Sequence, residues 1–275
     1  MPEGDTVWLA CRQLNAALAG RVLTRCELRV PQLATTDFTG VEVREVASRG
    51  KHQLTRFANG WTLHTHLRMD GGWRVYPTGK KWTGGPAWQI RVLMVNAEAA
   101  AIGYRLPVTE MVRTDAEDSV VGHIGPDLLG ADWDAAEALR RLRADPTRTV
   151  GEALLDQRNL AGIGTLYRAE ILFLQGVHPR TPVGAVTSLE RVVARAKQLL
   201  EANKLTHDQI TTGSRRLGAH WVFERPGQDC RRCGTRIETE EFGPQGVERR
   251  SYWCPHCQPL REPSVPELVE GPGTG

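Results

Sequence analysis

Long hydrophobic stretches are absent from this chain of 275 residues, in which no apolar run reaches the roughly 18 residues of a membrane-spanning helix. The acidic N-terminus also lacks the basic and then apolar order of a secretory signal peptide. These absences argue against a membrane protein, and we expect a soluble chain in the cytoplasm.

A large excess of charge is also absent: 35 lysines and arginines are matched by 32 aspartates and glutamates, which gives a formal net charge of +3. A polyanionic partner would therefore have to be bound by local clusters of positive charge. Lys51, after Arg49 and Gly50, is the only lysine before Lys80. A solvated surface lysine is the ordinary interpretation of such a residue, and a functional amine is the alternative.

Cysteine is scarce, and four of the six cysteines form two Cys-x2-Cys pairs near the end of the chain. The four are Cys230, Cys233, Cys254 and Cys257. This spacing lies at the long end of the range for a zinc site of four thiolates, which has no open coordination position. The pattern predicts one structural Zn²⁺, with a disulfide or redox pair as the alternative. Cys11 and Cys26 are predicted to be buried thiols.

The first five residues, Met-Pro-Glu-Gly-Asp, place an amine, a carboxylate and a helix start together. Removal of Met1 would expose the secondary amine of Pro2, and an α-amino group has a pKa of about 8, so a neutral fraction exists at neutral pH. Such an amine can form a Schiff base, and Glu3 beside it can donate a proton. The alternative is an ordinary N-terminus that favours a helix start.

Periodicity predicts the elements of the first half. A helix is predicted over residues 5–19, capped by Asp5 or Thr6 and ended by Gly20. Residues 21–112 then change to short runs rich in Val, Leu, Thr and Trp, which indicate antiparallel strands in a sandwich or barrel-like domain.

One predicted strand covers residues 61–68, where the two faces differ in character. Alternation places Trp61, Leu63 and Leu67 on one face and His64, His66 and Arg68 on the other. We expect the second face to be wet or functional.

The second half carries helical patterns. A helix over residues 150–155, two tight turns and a helix over residues 166–174 that ends at Gly176 are predicted. Gly162 and Gly164 lie directly before the second helix, where free backbone N–H groups would suit a phosphate. The alternative is an ordinary helical hairpin with no ligand.

A further helix over residues 188–202 is predicted to begin with a capping box from Thr187 to Glu190. Between the cysteine pairs, residues 243–246 mark a hairpin tip, and the arginines at 249 and 250 are expected to point outward. We therefore expect an α+β chain with an N-terminal β-sandwich, a leading helix, a helical domain and a C-terminal zinc-ribbon finger. The predicted bounds are 1–121 for the sandwich domain, 122–130 for a linker, 131–225 for the helical domain, 226–261 for the finger and 262–275 for a disordered tail.

Taken together, four distant motifs resemble the formamidopyrimidine-DNA glycosylase and endonuclease VIII family up to about residue 261. The motifs are Met1-Pro2-Glu3-Gly4, Arg49-Gly50-Lys51, Leu160-Ala161-Gly162-Ile163-Gly164 with Tyr167 and Glu170-Ile171-Leu172, and Arg249 ahead of Tyr252-Trp253-Cys254. The third motif is similar to the helix-two-turn-helix signature of that family. The resemblance is specific because all four motifs agree.

The resemblance implies a division of roles. Pro2 would be the Schiff-base nucleophile and Glu3 the proton donor in base removal. Lys51 would assist β-elimination, and Arg249 would grip a phosphate near the lesion and aid δ-elimination. Contacts to DNA are implied for Arg68, Met69, Gly162, Gly164, Thr165 and Arg250, with Met69 as the wedge in the base stack.

The implied activity is that of a bifunctional DNA glycosylase and AP lyase of base excision repair, with one structural zinc and no nucleotide cofactor. We expect a monomer that binds double-stranded DNA carrying an oxidised base or an abasic site, and hence lies at the nucleoid when bound. The resemblance leans to the endonuclease VIII branch, which implies a preference for oxidised pyrimidines. Pro31-Gln32-Leu33 and Trp253 support that branch, and the Arg-Arg-Phe-Gly loop of 8-oxoguanine enzymes is missing.

A protein that binds damaged DNA through a zinc ribbon without cutting it is the alternative. Thr165 replaces the usual asparagine of the family, and Asp70 follows the wedge residue, which keep this alternative open. Pro2, Glu3 and Lys51 favour the enzyme.

Overall fold

The computed structural model describes residues 2–243, 246 and 248–260, which form six α-helices and eleven β-strands. In chain order these are α1 (Gly4–Leu18), β1 (Arg21–Val22), β2 (Arg25–Leu28), β3 (Glu42–Arg49), β4 (His52–Phe57), β5 (Trp61–His66), β6 (Gly72–Pro77), β7 (Ile90–Val95), β8 (Ala99–Tyr104), β9 (Val108–Arg113), α2 (Asp118–Val121), α3 (Ala135–Arg143), α4 (Val150–Leu155), α5 (Thr165–Gln175), α6 (Leu189–Asn203), β10 (Glu238–Phe242) and β11 (Arg249–Trp253). Within this described part, every helix is too short or too polar to span a bilayer.

Two antiparallel sheets form the N-terminal domain. One has the strand order β1-β3-β4-β5-β9 and the other the order β2-β7-β8-β6. Inward-pointing side chains such as Val43, Phe57 and Leu63 of the first sheet pack with Val92 and Met94 of the second in one buried cluster. The predicted α+β class and the N-terminal sandwich are confirmed.

Helix α1 packs its apolar face on this core but begins differently from the prediction. It starts at Gly4, so Asp5 and Thr6 lie inside its first turn and neither is its cap. The carboxylate of Asp5 instead accepts the Tyr167 hydroxyl at 2.7 Å. The predicted cap is wrong because a distant partner from α5 uses the Asp5 side chain.

Glycine ends two of the helices, as the sequence predicts. Gly20 follows α1 closely with φ of 72°, and Gly176 follows α5 with φ of 65°. The Gly176 N–H donates to the carbonyls of Leu172 and Phe173, which the last turn would otherwise leave without a partner. The predicted helix before Gly176 is confirmed.

Helix α6 packs against α3 and α5 in the core of the helical domain, but it lacks the predicted capping box. Ser188 precedes the helix and no side chain caps it. The Glu190 carboxylate binds Arg143 of α3 and not the Thr187 N–H that a capping box requires. The predicted box from Thr187 is wrong because a tertiary ion pair uses its acid.

The segment over residues 122–130 is packed between the two domains. Ile124 and Leu128 are buried, the first against the sandwich and the second in the helical core. Asp127 is buried too, and its Oδ2 accepts the Gly50 N–H at 2.7 Å. The segment therefore fixes the β3–β4 turn relative to the helical domain.

The finger hairpin pairs β10 with β11, with Phe242 opposite Arg249. Tyr252 and Cys254 belong to the same buried cluster as the helices, so the finger shares the core of the helical domain. Residues 244 and 245 of the predicted hairpin tip, and residue 247 after it, lie outside the described residues. The predicted disordered tail, 262–275, lies outside them as well.

Candidate active site

A cleft of about 600 Å³ opens between the sandwich, α5 and the finger hairpin. Pro2 and Lys51 line it from the N-terminal domain, Gly164 and Thr165 from the start of α5, and Arg249 from the finger. Further lining residues are His52, His64, His66, Arg68, Met69 and Arg168. The cleft thus brings together predicted site residues from three distant parts of the chain.

The carboxylate of Glu3 lies at the N-terminus of α5, beneath this cleft. Its Oε2 accepts the Gly164 N–H at 2.6 Å, its Oε1 accepts the Leu166 N–H at 2.8 Å, and the residue is fully buried. The unpaired N–H groups and the dipole at a helix N-terminus favour a negative charge. The predicted anion site therefore exists, but the anion that fills it is Glu3.

Neither Gly162 nor Gly164 keeps the free N–H that the sequence analysis predicted for phosphate. Gly164 donates to Glu3, and Gly162 donates to Oε1 of Gln157 at 3.0 Å. Gly164 instead permits a close approach, since a Cβ there would lie 2.6 Å from Glu3 Cδ and 2.8 Å from Lys51 Nζ. The glycine is needed because the acid and the amine converge on it.

Backbone contacts fix the N-terminus beside the cleft. The Gly4 N–H donates to the Gly162 carbonyl at 2.9 Å, and a Cβ on Gly4 would lie 2.8 Å from Gly162 Cα. Pro2, two residues before Gly4, is half-buried and lines the cleft. An amine freed at Pro2 by removal of Met1 would therefore open into the cleft.

Lys51 lies in the two-residue turn between β3 and β4. Gly50, the other turn residue, has φ of 56°, and a Cβ on it would approach that of Ala161 to 2.9 Å. Asp127 holds the Gly50 N–H and also accepts the Leu129 N–H at 3.0 Å. Asp127 was not predicted as a site residue, although an aspartate after Gly-Pro is a signal for such a turn.

Glu3, which is fully buried, and Lys51, which is half-buried at the cleft, affect each other's ionisation. Burial raises the pKa of Glu3, while Lys51 and the Gly164 N–H oppose that rise. Burial also lowers the pKa of Lys51, with Arg249 adding to the decrease and Glu3 and Asp5 opposing it. Desolvation disfavours the charged form of both groups, so it shifts Glu3 toward the neutral acid and Lys51 toward the neutral amine.

The two adjacent arginines of β11 occupy different surroundings. Arg249 lines the cleft. Arg250 is outside the lining of the cleft, and its Nη2 donates to Oε1 of Glu241 across the hairpin at 2.9 Å. Successive side chains of a strand point to opposite faces, which separates the two residues. The structure thus places Arg249 at the cleft, whereas Arg250 lies outside it. The position of Arg250 does not support its predicted contact with DNA.

Arg168 is a cleft residue that the sequence analysis missed. It is fully buried on α5, and its Nε and Nη1 have no hydrogen-bond partner among the described residues. Its Nη2 donates to the Arg250 carbonyl at 2.6 Å, and burial lowers the pKa of Arg168 to about 10. A buried cation with unpaired donors is costly, and an anion in the cleft would supply the missing acceptors. Its only sequence signal is a charge at a core position of a helix.

The polar face of β5, which was expected to be wet or functional, borders the cleft, with His64 buried and His66 half-buried. The side chain of His64 is only 3% exposed, and His64 and His66 both line the cleft. The strand ends at His66, so Arg68 lies beyond it in a turn, with φ of 46°. Met69 in the same turn is 62% exposed at the cleft. The predicted apolar face of the strand packs in the sandwich core.

The four finger cysteines converge, with all four Sγ atoms within 4.8 Å of one another. The distance between Sγ atoms is 3.4 Å for Cys233 and Cys254 and 4.0 Å for Cys230 and Cys257. A tetrahedral Zn²⁺ with bonds of about 2.3 Å places its sulfurs about 3.8 Å apart, so these residues fit one structural zinc. The disulfide alternative does not hold, since a bonded pair would be about 2 Å apart.

Two cysteines lie apart from the finger, as predicted. Cys11 and Cys26 are buried in the sandwich core, where burial raises the pKa of both thiols to about 12. They are therefore unreactive thiols that fill space.

Three family models match the chain. They are the formamidopyrimidine-DNA glycosylase N-terminal domain over residues 1–104, the formamidopyrimidine-DNA glycosylase H2TH domain over residues 124–214, and the zinc finger found in FPG and IleRS over residues 227–260. Together they cover the sandwich as far as β8, most of the helical domain and the finger.

Curated relatives match over nearly the full length. The chain is 54% identical over 260 residues to a probable endonuclease 8 2 of Streptomyces coelicolor, with 94% of each chain covered. It is 44% identical over 259 residues to the DNA-(apurinic or apyrimidinic site) lyase Nei2 of Mycolicibacterium smegmatis, which covers 94% of this chain and 99% of that one.

Among solved structures, formamidopyrimidine-DNA glycosylase of Lactococcus lactis, bound non-covalently to DNA with an AP site, has a TM-score of 0.76. The identity is 22%, and the match covers 94% of this chain and 100% of that one. At this identity the match shows a shared fold.

Proposed function

The chain belongs to the formamidopyrimidine-DNA glycosylase and endonuclease 8 family, and from this premise we propose that it is a bifunctional DNA glycosylase and AP lyase. Its substrate is double-stranded DNA with an oxidised base, pyrimidines preferred, or an abasic site. It acts as a monomer without a nucleotide cofactor, and the zinc of the finger is structural. We propose the domain bounds 1–121, 131–225 and 226–261, with 122–130 as the connection.

One observation carries this proposal: the cleft unites Pro2, Lys51 and Arg249, which are far apart in the sequence. A secondary amine is the nucleophile that imine chemistry needs, and an amine of lowered pKa beside it can move protons. A guanidinium offers a rigid fork of donors that matches phosphate oxygens. Amine, proton-transfer group and phosphate ligand thus border one space.

The first chemical stage breaks the bond between base and sugar. The nitrogen of Pro2 attacks C1′ as the C1′–base bond breaks, and protonated Glu3 donates its proton to the leaving base or to the sugar oxygen. The Pro2 nitrogen then loses its own proton, its lone pair expels O4′ from C1′, and O4′ takes up a proton to become a hydroxyl, which leaves an iminium between Pro2 and C1′. The raised pKa of Glu3 supports its role as the acid, because a proton is more available at neutral pH.

The second stage cleaves the strand. The iminium acidifies the C2′ hydrogen, and its loss expels the 3′ phosphate by β-elimination, with Lys51 assisting the proton transfer. A second elimination expels the 5′ phosphate, with Arg249 bound to it. The damaged nucleotide must first leave the stack, at a cost of a few kcal/mol, and exposed Met69 is placed to fill the vacated space.

Arg168 adds a second phosphate ligand to the cleft. Its Nε and Nη1 lack acceptors among the described residues, and it contacts the finger through the Arg250 carbonyl. A phosphate between Arg168 and Arg249 would pair the buried donors and hold the finger on the DNA. Thr165, at the start of α5, borders the same space.

Borohydride reduction with a duplex that carries an abasic site tests the proposal. The wild-type chain should give a covalent adduct and cut the strand. A chain with a tag on the N-terminus, or with Met1 retained, should lose the adduct and the cleavage but keep binding to the duplex. Full cleavage with a blocked terminus would refute the role of Pro2, and binding without an adduct in the wild type would favour the non-cutting DNA-binding protein.

A further inference from the structure

Beside the groups that the proposed chemistry uses, the cleft wall carries a hydrogen-bond relay made of three side chains. Nδ1 of His52 lies 2.7 Å from Nε2 of His64, and Nδ1 of His64 lies 2.6 Å from Oε1 of Glu110. The three residues are on the adjacent strands β4, β5 and β9. The hydrogen-bond relay therefore runs from the partly exposed carboxylate of Glu110, through buried His64, to His52 at the cleft.

The Glu110 carboxylate sets the direction of hydrogen-bond donation along this relay. Carboxylate oxygens accept, so His64 donates from Nδ1, and a neutral His64 then accepts the Nδ1 proton of His52 at its Nε2. This arrangement leaves Nε2 of His52 as an open lone pair. His66 is arranged oppositely, since its Nδ1 accepts the Arg68 N–H at 2.9 Å and a neutral ring then keeps its proton on Nε2.

His52 has no charge in the DNA-free protein. Burial is the largest cause, and together with the positive charge of the neighbouring histidines and Arg68 it lowers the pKa of His52 to about 3. The groups that face it are His64 and His66 from β5, Arg68 after β5 and His123 after α2, with Lys51 next in the chain and Glu110 behind His64. A phosphate oxyanion at Nε2 would oppose these effects and raise the pKa.

We propose that His52 is a phosphate-binding residue that becomes a cation only when DNA occupies the cleft. Its Nε2 takes one proton from solvent, keeps it, and donates a hydrogen bond to a backbone phosphate oxygen. The negative charge of Glu110 compensates the new positive charge through His64. This step rests on the proposed function, because it needs a DNA phosphate in the cleft. In the free protein the neutral ring avoids repulsion with Lys51 and Arg68.

Proton linkage tests this assignment. Because binding raises the pKa of His52, DNA binding takes up protons between the free and the bound pKa, and affinity rises as pH falls through the bound value. Calorimetry with a duplex that carries a tetrahydrofuran abasic analogue, near pH 6 in two buffers of different ionisation enthalpy, measures that uptake. We compare the wild type with His52→Asn, with Glu110→Gln, and with His207→Asn as a matched histidine control on the surface outside the cleft.

The expected result is proton uptake that is at least halved in His52→Asn, reduced in Glu110→Gln and unchanged in His207→Asn. Uptake from Lys51 or His66 persists in all variants and is subtracted by the comparison. Equal proton uptake in the wild type and in His52→Asn would overturn the assignment. If His52→Asn fails to fold, unchanged proton uptake in Glu110→Gln would overturn it instead. Failure of the proposed function looks different, since the wild type would then form no borohydride adduct.

Discussion

At the scale of single residues, two effects act in opposite directions on the protonation state of Glu3. The N–H groups of Gly164 and Leu166 favour its ionised form, whereas its proposed role requires a proton. Burial already raises its pKa, and DNA phosphates in the cleft would raise it further, since a nearby negative charge disfavours a second one. We therefore expect the acid to become competent when substrate binds.

Glu3→Gln is the first test at this scale. The amide oxygen can still accept a backbone N–H at the start of α5, so the fold should persist while the proton is lost. Base excision should slow by about 10²-fold or more, the usual effect of losing a general acid. Single-turnover assays on an intact lesion and on a preformed abasic site should show the smaller loss on the abasic site. Equal losses on both substrates would contradict this division of labour.

Arg168→Met separates binding from stability. The change removes a buried charge with unpaired donors, so the free energy of unfolding should stay within about 1 kcal/mol of the wild type or rise. Affinity for an abasic-analogue duplex should fall by roughly 10-fold to 100-fold, since hydrogen bonds to charged groups contribute about 1.5–3 kcal/mol each. Urea unfolding and a binding titration measure the two quantities.

Arg140→Met is the matched control for Arg168, because Arg140 is an exposed arginine paired with Glu137 and does not line the cleft. It should change affinity little. A lower unfolding free energy with unchanged DNA affinity in Arg168→Met would instead assign that residue a purely structural role.

At the scale of elements, the alternation of β11 decides which arginine lines the cleft and which pairs across the hairpin. Arg249→Ala should weaken binding and cleavage together by roughly 10-fold or more, as expected for lost charge-assisted phosphate contacts. Arg250→Ala should cost much less and mainly change the salt dependence of binding, because its side chain pairs with Glu241. The opposite order of effects would show that the strand presents its other face.

Elements were predictable where the signal is local. The second helix of the turn motif was predicted over 166–174 and runs Thr165–Gln175, because glycine at a helix end is a local conformational requirement. The predicted cap at Asp5 was wrong because the Asp5 carboxylate binds Tyr167. The predicted capping box at Thr187 was wrong because its acid, Glu190, binds Arg143. A local pattern does not contain such distant partners.

The site shows the same division. Motifs predicted Pro2, Lys51 and Arg249, and the structure brings them to one cleft. Arg168 was not predictable, since the sequence shows a charge on a helix but not whether its donors find partners. The proposed phosphate role of the two glycines is not supported, because the Gly164 N–H donates to Glu3, distant in sequence, and the Gly162 N–H donates to Gln157.

At the scale of the whole molecule, the finger and the helical domain share one core, so metal loss should reach the cleft. We expect close to one zinc per chain, and removal by a chelator should unfold the finger and lower cleavage by at least about 10-fold, as zinc binding supplies the folding energy of such units. Metal analysis with a cleavage assay measures both. Cys26→Ser, in the sandwich, should retain zinc and activity. Full activity in zinc-free protein would contradict the prediction.

The contact between Glu3 and Gly164, 161 residues apart in sequence, also sets an order of events during synthesis. The amine-bearing end leaves the ribosome first, yet the N–H groups that hold its acid emerge only after more than half of the chain. Contacts of such long separation close late in folding. A nascent or truncated first domain would therefore carry the nucleophile that we propose without a placed acid, and the proposed chemistry would begin only when the second domain had folded onto the first.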